Sequence, residues 1–471
     1  MLKRIPWVAV AVCLLIVSIL LTRQHCLYPW PIRLSNVRLE PSRPILRDAD
    51  VTPDNAFFYL RQLTDAPRSS DDWSKEYDRF SSLGMAGGPY PALEARLTEV
   101  AGNLKLCRQA AALPKCQVVT ADSYVSRLPY LGPVRDVVRN LHFRAERAAA
   151  KGDWTAAGDD YRLALRTGDD LTRGGCLINH LLSYACCAMV CEDLRRVAIE
   201  DEPPPAFLRA MIQFLAELDR NAEPFVETMR YERLFGHSMV RTIDNRLSRL
   251  LDSGSSGSSA PAVAPLDTFH AYCVLPLAGS TPRHTAAHLD NVYSYVIDIA
   301  AEPRPSGRSI VDEALGFMIR SPTRRRFLFD DPIGRALAFG FLPALDTCPD
   351  KHWAHVATLR GTELALALRL YQQTHDGKLP ARLDELVPDY LPAVSVDPFS
   401  SEGEGFLYRV DAGGKWIVYS RGPNLRDNDG VWNYLDKKMR SQHRDSLDVI
   451  FAASEPERRR DNWRLEHPGG K

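Results

Sequence analysis

From residue 52 onward the apolar positions recur at intervals of three and four, the period of helices with one buried face. Thr52-Pro53-Asp54-Asn55 is a capping sequence before AFFYLRQL, and Asp71-Asp72-Trp73 opens a second helix. Residues 92–113, preceded by Pro91, put Leu93, Leu97, Val100, Leu104 and Cys107 on one stripe and predict a single long helix. Residues 176–197 form a strongly apolar helix that Pro203-Pro204-Pro205 ends. Residues 206–219 resume the period, with Phe207, Met211, Phe214, Leu215 and Leu218 as the buried stripe.

The pattern changes toward the C-terminus. Residues 356–373 carry Leu359, Leu366 and Leu370, widened by Leu364, Leu368 and Tyr371, an apolar arc broad enough to pack on a sheet. Asp376-Gly377 stops that helix, a short helix follows over 381–387, and Asp397-Pro398-Phe399 reads as a turn. Residues 406–410 and 415–420 then alternate with period two around Asp411-Ala412-Gly413-Gly414, which predicts a hairpin. SLDVIFAA, residues 446–453, supplies one more strand, and the charged, Pro/Gly-rich remainder to 471 is predicted to be disordered. The expected fold class is α+β: a helical body over 51–350 and a long helix on a small antiparallel sheet over 351–452.

Ahead of the body, residues 5–21 (IPWVAVAVCLLIVSILL) are uncharged and long enough to cross a bilayer as one helix. Lys3 and Arg4 favour an inside N-terminus, and no small-residue cleavage site follows the apolar run, so an uncleaved signal-anchor is expected, with a cleaved signal peptide as the alternative. The body would then lie outside the cytoplasm, held to the cytoplasmic membrane by a single pass. Pro29, Pro31, Pro41 and Pro44 predict an extended spacer over 23–50, and the Gly/Ser/Pro run 253–265 a flexible loop.

Two stretches resemble known families. RAERAAAKGDWTAAGDDYRLALRTGDD, residues 144–170, resembles half of a tetratricopeptide repeat, with Gly152, Trp154, Ala157, Tyr161, Ala164 and Leu165 at that family's turn, aromatic and small positions. No second copy follows at the repeat period, so one antiparallel helix pair is expected rather than a superhelix. Further on, Asp376-Gly377-Lys378-Leu379-Pro380, Leu383-Asp384-Glu385-Leu386-Val387-Pro388, Asp397-Pro398-Phe399 and Ser420-Arg421-Gly422-Pro423-Asn424 follow in that order. The succession resembles the globular domain of a type II secretion major pseudopilin. The resemblance implies a long helix on a small sheet, and a terminal loop able to hold calcium. Asp427, Asp429 and Asn424 would be its ligands, as oxygen donors in a tight turn. Pilin precursors have a cut glycine and a glutamate early in their apolar helix; residues 5–21 show neither, and the pseudopilin-like helix here is internal. A pilus subunit is therefore not expected. The whole mixture is similar to uncharacterised envelope proteins of planctomycete-type bacteria, a likeness that implies no activity.

Composition narrows the function classes. Lys+Arg and Asp+Glu balance at 59 each, which argues against nucleic acid as partner; Arg324-Arg325-Arg326 and Arg458-Arg459-Arg460 are the only basic runs. The ten cysteines form no CxxC pair. Cys187 and Cys191 share a helix face as small buried side chains, and Cys107–Cys116 is the candidate disulfide. His180 lies in an apolar helix and reads as a core histidine. His284 and His288 have zinc-like spacing but lack the glutamate of HExxH, with Asp290 as a conceivable third ligand; His352 and His355 are no stronger. No GxSxG, GxxxxGK[ST] or GxGxxG occurs. The expected role is that of a membrane-anchored, non-catalytic structural or interaction protein. An accessory of a secretion or pilus-like system, contacting pilin-like partners, is the alternative, and an enzyme within the helical body the third reading.

Overall fold

The computed structural model describes residues 37–64, 71–120, 128–238, 282–303, 345–430 and 448–466, with a few positions between 305 and 312. The apolar segment 5–21, the loop 253–265 and the run 324–326 lie outside the described residues. Among the described residues no helix is long and apolar enough to cross a membrane.

The body is mainly helical, with a small three-stranded antiparallel sheet near the C-terminus. Its helices are α1 (Phe57–Leu60), α2 (Asp71–Leu83), α3 (Pro91–Glu99), α4 (Ala101–Ala111), α5 (Leu131–Ala149), α6 (Trp154–Asp169), α7 (Leu177–Glu200) and α8 (Pro205–Arg220). A further helical run covers 225–238, followed by α9 (Pro282–Ala300), α10 (Cys348–Thr374) and α11 (Glu455–Glu466). The stripe expected to be one helix over 92–113 is broken at Val100, whose φ of −90° and ψ of 6° separate α3 from α4. Leu93, Val100, Leu104 and Cys107 are nonetheless buried, because the break changes direction without exposing the stripe.

The helix pair resembling half a tetratricopeptide repeat is α5 and α6, which pack on each other more extensively than any other two elements. Gly152 takes φ +77° in the connection, and Asp153 caps α6 by accepting from the Ala156 amide at 3.0 Å. The segment expected to be a free spacer differs from its description. Its described part, 37–50, carries no regular element before the 3-10 turn Asp48–Asp50, but it lies along the body. There the Ser42 amide donates to Glu227 (2.7 Å), Arg43 pairs with Glu223 (2.8 Å), and Val37 and Leu39 cover the core around α9. Proline kept it out of helix; it did not keep it away from the body.

The sheet runs β1 (Leu407–Val410), β2 (Trp416–Ser420) and β3 (Val449–Ala452), in that spatial order. Leu407 pairs with Tyr419 and Val410 with Trp416 across the expected hairpin, while Val418 pairs with Phe451 on the other side. Asp397 is fully buried and ties the Asp-Pro-Phe turn to the end of β2. Its carboxylate accepts from the Phe399 amide (2.9 Å), the Ser420 hydroxyl (2.6 Å) and the Arg421 amide (3.1 Å).

Helix α10 is the element around which the rest is arranged. One side packs on β2 and β3, and the other on α7 and α8. One hydrophobic core therefore runs from Leu60 and Val138 through Leu194 and Leu215 to Leu366, Trp416 and Phe451. Gly361, in mid-helix, lets β3 approach closely: a Cβ there would lie 2.1 Å from Cε2 of Phe451.

Two expectations are corrected here. Residues 455–466, expected to be disordered, form α11, which packs on α2 and α7. It is too polar to be read as a helix from its own period and is held by ion pairs: Glu455 to Arg195, Glu457 to Lys415, Arg459 to Glu192 and Arg460 to Glu200. Cys107 and Cys116 are both free thiols. Cys107 faces the core from α4, whereas the Cys116 thiol donates to the Asp170 carbonyl at 3.2 Å, so each side chain already has a place.

Candidate functional site

In the sequence-predicted ion loop the side chains of Asn424 and Asp427 make local hydrogen bonds. Asn424 turns its amide nitrogen to Asn428 Oδ1 (2.8 Å) and its oxygen to the Arg426 amide (3.0 Å). Asp427 accepts from the Asp429 amide (2.8 Å) and the Tyr419 hydroxyl (3.1 Å), and both aspartates are exposed. The carboxylate that organises the loop is Asp448, just before β3, which accepts from the Asn428 (3.1 Å) and Gly430 (2.8 Å) amides. These oxygens serve backbone turns, the ordinary work of Asp and Asn in such a loop.

The other histidines weighed above divide in two. The side chains of His284 and His288 lie outside the described residues; Asp290 is engaged by Arg233 (2.6 Å) and His237 (2.6 Å). His180 is a core histidine, as expected. Its Nε2–H donates to the Thr172 carbonyl (2.8 Å), and Nδ1 faces the hydroxyls of Thr228 (3.2 Å) and Tyr184 (3.3 Å). Tyr184 in turn reaches His352 Nδ1 (2.9 Å) and stacks on His355, with ring centroids 4.3 Å apart. Burial lowers the His180 pKa from 6.5 to about 4. The unfolded chain therefore binds a proton below pH 6.5 that the folded chain refuses until about pH 4. Stability is full above pH 6.5 and falls through that window by about 1.4 kcal/mol per pH unit, roughly 3 kcal/mol in all. His352 and His355 are also pushed down by burial but keep some surface exposure, so His180 carries the expectation. Denaturant titrations between pH 7 and 4 should show this acid loss, and His180→Gln should remove the His180 share of it while leaving that of His352 and His355.

Two sites missed by sequence reasoning are better formed. The first is a buried ionisable cluster in the seam between α5 and α7. Helix α5 presents His142 and Glu146 one turn apart, α7 presents Asp193 and Arg196, α6 adds Tyr161 and α2 adds Tyr77. His142 Nε2 lies 3.3 Å from Asp193 Oδ2 and 4.0 Å from Glu146 Oε1. Arg196 donates to Asp193 Oδ1 (2.7 Å) and contacts Glu146 Oε1; the Tyr161 hydroxyl donates to Asp193 Oδ2. Tyr77 meets His142 Nδ1 at 3.0 Å. Burial works against an ionised Asp193, but the Arg196 guanidinium and then His142 outweigh it and hold the carboxyl well below the usual range. Burial, reinforced by the charge of Asp193, pushes Glu146 up. The adjoining void, lined by Ser81, Met189, Glu192 and Arg459 among others, measures about 10 Å³, the size of one water. The signal in the sequence was the i, i+4 pair His142-Phe-Arg-Ala-Glu146, unread because nothing local marks Asp193 as its neighbour.

The second is an open groove of about 790 Å³ over the α5–α6 pair, floored by alanines, Leu163 and Phe214 and rimmed by Arg108, Arg144, Arg147, Lys151, Arg162 and Arg166. Arg144, Arg147, Arg162 and Arg166 pair with Asp160, Glu94, Asp159 and Asp170 respectively. Arg108 and Lys151 are exposed and make no ion pair with any described residue.

Comparison with known proteins returns no match, neither to a family description nor to a curated protein or a solved structure.

Proposed function

We propose that this chain is a membrane-anchored, extracytoplasmic interaction protein without catalysis, which holds a pseudopilin-like helix-and-sheet unit as a fixed part of a larger helical body. The observation that carries the reading is the position of α10, covered by the sheet on one side and by α7 and α8 on the other. A helix buried on both sides has no face left with which to polymerise, so the unit acts as a scaffold and not as a filament subunit. The buried cluster favours the same reading, since a void of about 10 Å³ admits no substrate beside His142 and Asp193. The groove over α5 and α6 is the surface offered to a partner, and its wide, partly apolar floor suits a protein segment.

The test is co-purification of tagged full-length protein after crosslinking in intact cells, with a reporter fused to the C-terminus. Envelope proteins captured in stoichiometric amounts, and a reporter active only outside the cytoplasm, are the expected results. Pilin-like proteins among them would assign the accessory role in a secretion or pilus-like system. A reporter active in the cytosol would end the proposal.

A further inference from the structure

We propose that His142, Glu146 and Asp193 form a structural site for one divalent transition-metal ion that ties α5 to α7. The three ligating atoms lie within 4.8 Å of one another, and all three residues are buried. Ligands of a four-coordinate ion with bonds of about 2.1 Å sit roughly 3.4 Å apart. His142 Nε2 and Asp193 Oδ2 are already 3.3 Å apart, and Glu146 needs to close by less than a rotamer's swing. Nitrogen with two carboxylates is a mixed donor set that suits zinc, iron(II) or manganese(II) rather than calcium.

A second observation points into the same spot. Glu146 Oε2 is buried and has no hydrogen-bond partner, and the only partner of His142 Nε2 in hydrogen-bond range is the Asp193 carboxylate at 3.3 Å. A buried carboxylate oxygen of this kind is rare in a folded interior, because it forfeits its hydration with nothing in return. One ion between Glu146 and His142 would satisfy both. The surroundings are already arranged as outer supports: Tyr77 meets the other ring nitrogen of His142, Arg196 grips Asp193 Oδ1 and Glu146 Oε1, and the Tyr161 hydroxyl donates to Asp193 Oδ2, which keeps a second lone pair toward His142. Access runs through the water-sized void beside Glu455 and Arg459 of α11. The same narrow approach makes the role structural, since no substrate can reach the ion.

The experiment uses tag-free full-length protein in detergent, stripped with chelator, reloaded with zinc, dialysed and assayed for metal by elemental analysis. Cobalt(II) titration supplies an independent readout through its d–d absorption. One zinc per chain and a raised melting temperature are expected. Glu146→Gln keeps the side-chain shape and the Arg196 contact, so it should fold and yet lose roughly 100-fold or more in zinc affinity, beyond what removal of an outer support costs. His142→Gln should do the same. Folded wild-type protein that retains no zinc would overturn the proposal. So would zinc held equally by both variants, which would place the ion at other histidines.

Discussion

Replacing Gly361 by alanine should destabilise the protein, although the same change in an exposed helix interior would help by about 1 kcal/mol. The added Cβ would meet three ring atoms of Phe451, the nearest at 2.1 Å. That ring has little room to retreat. It is 2% exposed, tilted against Phe406 at 6.2 Å and covered by the Arg195 guanidinium at 5.1 Å. Overpacking of this kind costs about 1–3 kcal/mol, which exceeds the gain in helix propensity. A bulkier Gly361→Leu should cost more and separate β3 from α10. The sign should reverse when the obstacle is removed. In a Phe451→Ala background, itself about 3–5 kcal/mol less stable, Gly361→Ala should become neutral or stabilising. Denaturant midpoints for the four proteins of this cycle measure the effect directly. Stabilisation by Gly361→Ala in the wild type would mean that the sheet does not sit on α10 as described.

Arg195→Ala should be the most damaging single charge removal. Arg195 projects from α7, makes two hydrogen bonds to Glu455 of α11 (2.9 Å each) and a third to Thr362 of α10 (2.8 Å). It thus joins three elements while both members of the ion pair are buried. Alanine would leave the Glu455 carboxylate without this partner in a desolvated place, at a cost of about 3–5 kcal/mol. Glu455→Gln should also destabilise, because its amide NH2 opposes one of the two Arg195 donors and leaves the guanidinium charge buried and uncompensated. Replacing both together, Arg195→Met with Glu455→Leu, should recover most of the loss, because the pair gains little over apolar side chains of similar volume. Thermal unfolding and protease sensitivity of the C-terminal helix report the series. If Arg195→Ala were silent, α11 would not be docked through this pair.

How much of this was legible beforehand depended on whether the information was local. The hairpin register follows from the alternation around Asp411-Ala412-Gly413-Gly414, and the Asp376-Gly377 stop from residues that take φ of +52° and +78°. The α5–α6 turn was likewise readable, since Gly152 and Asp153 carry their own conformational preferences. His180 could be recognised as a core residue because it interrupts an apolar helix. By contrast, residues 455–466 carry almost no apolar face, and their helix exists only where Arg195, Lys415, Glu192 and Glu200 await their charges. The proposed ion loop shows the converse limit. Composition placed Asp427, Asp429 and Asn424 together, but the Asn424 oxygen accepts from the Arg426 amide and Asp427 Oδ1 from the Asp429 amide and the Tyr419 hydroxyl.

By itself, then, the order of residues determined where helices start and stop, which stripe of each is apolar, and that a hairpin follows a long helix near the C-terminus. Caps, glycines and hydrophobic period act over a few residues, and they are read where they stand. Only the tertiary structure decided what covers each stripe: that α10 is enclosed by α7 and α8 as well as by the sheet, and that Gly361 exists for Phe451. It alone brought His142 to Asp193 and Arg195 to Glu455, residues separated by 51 and 260 positions. A polar side chain is tolerated in the core only beside its partner, and the position of that partner is a property of the packed chain.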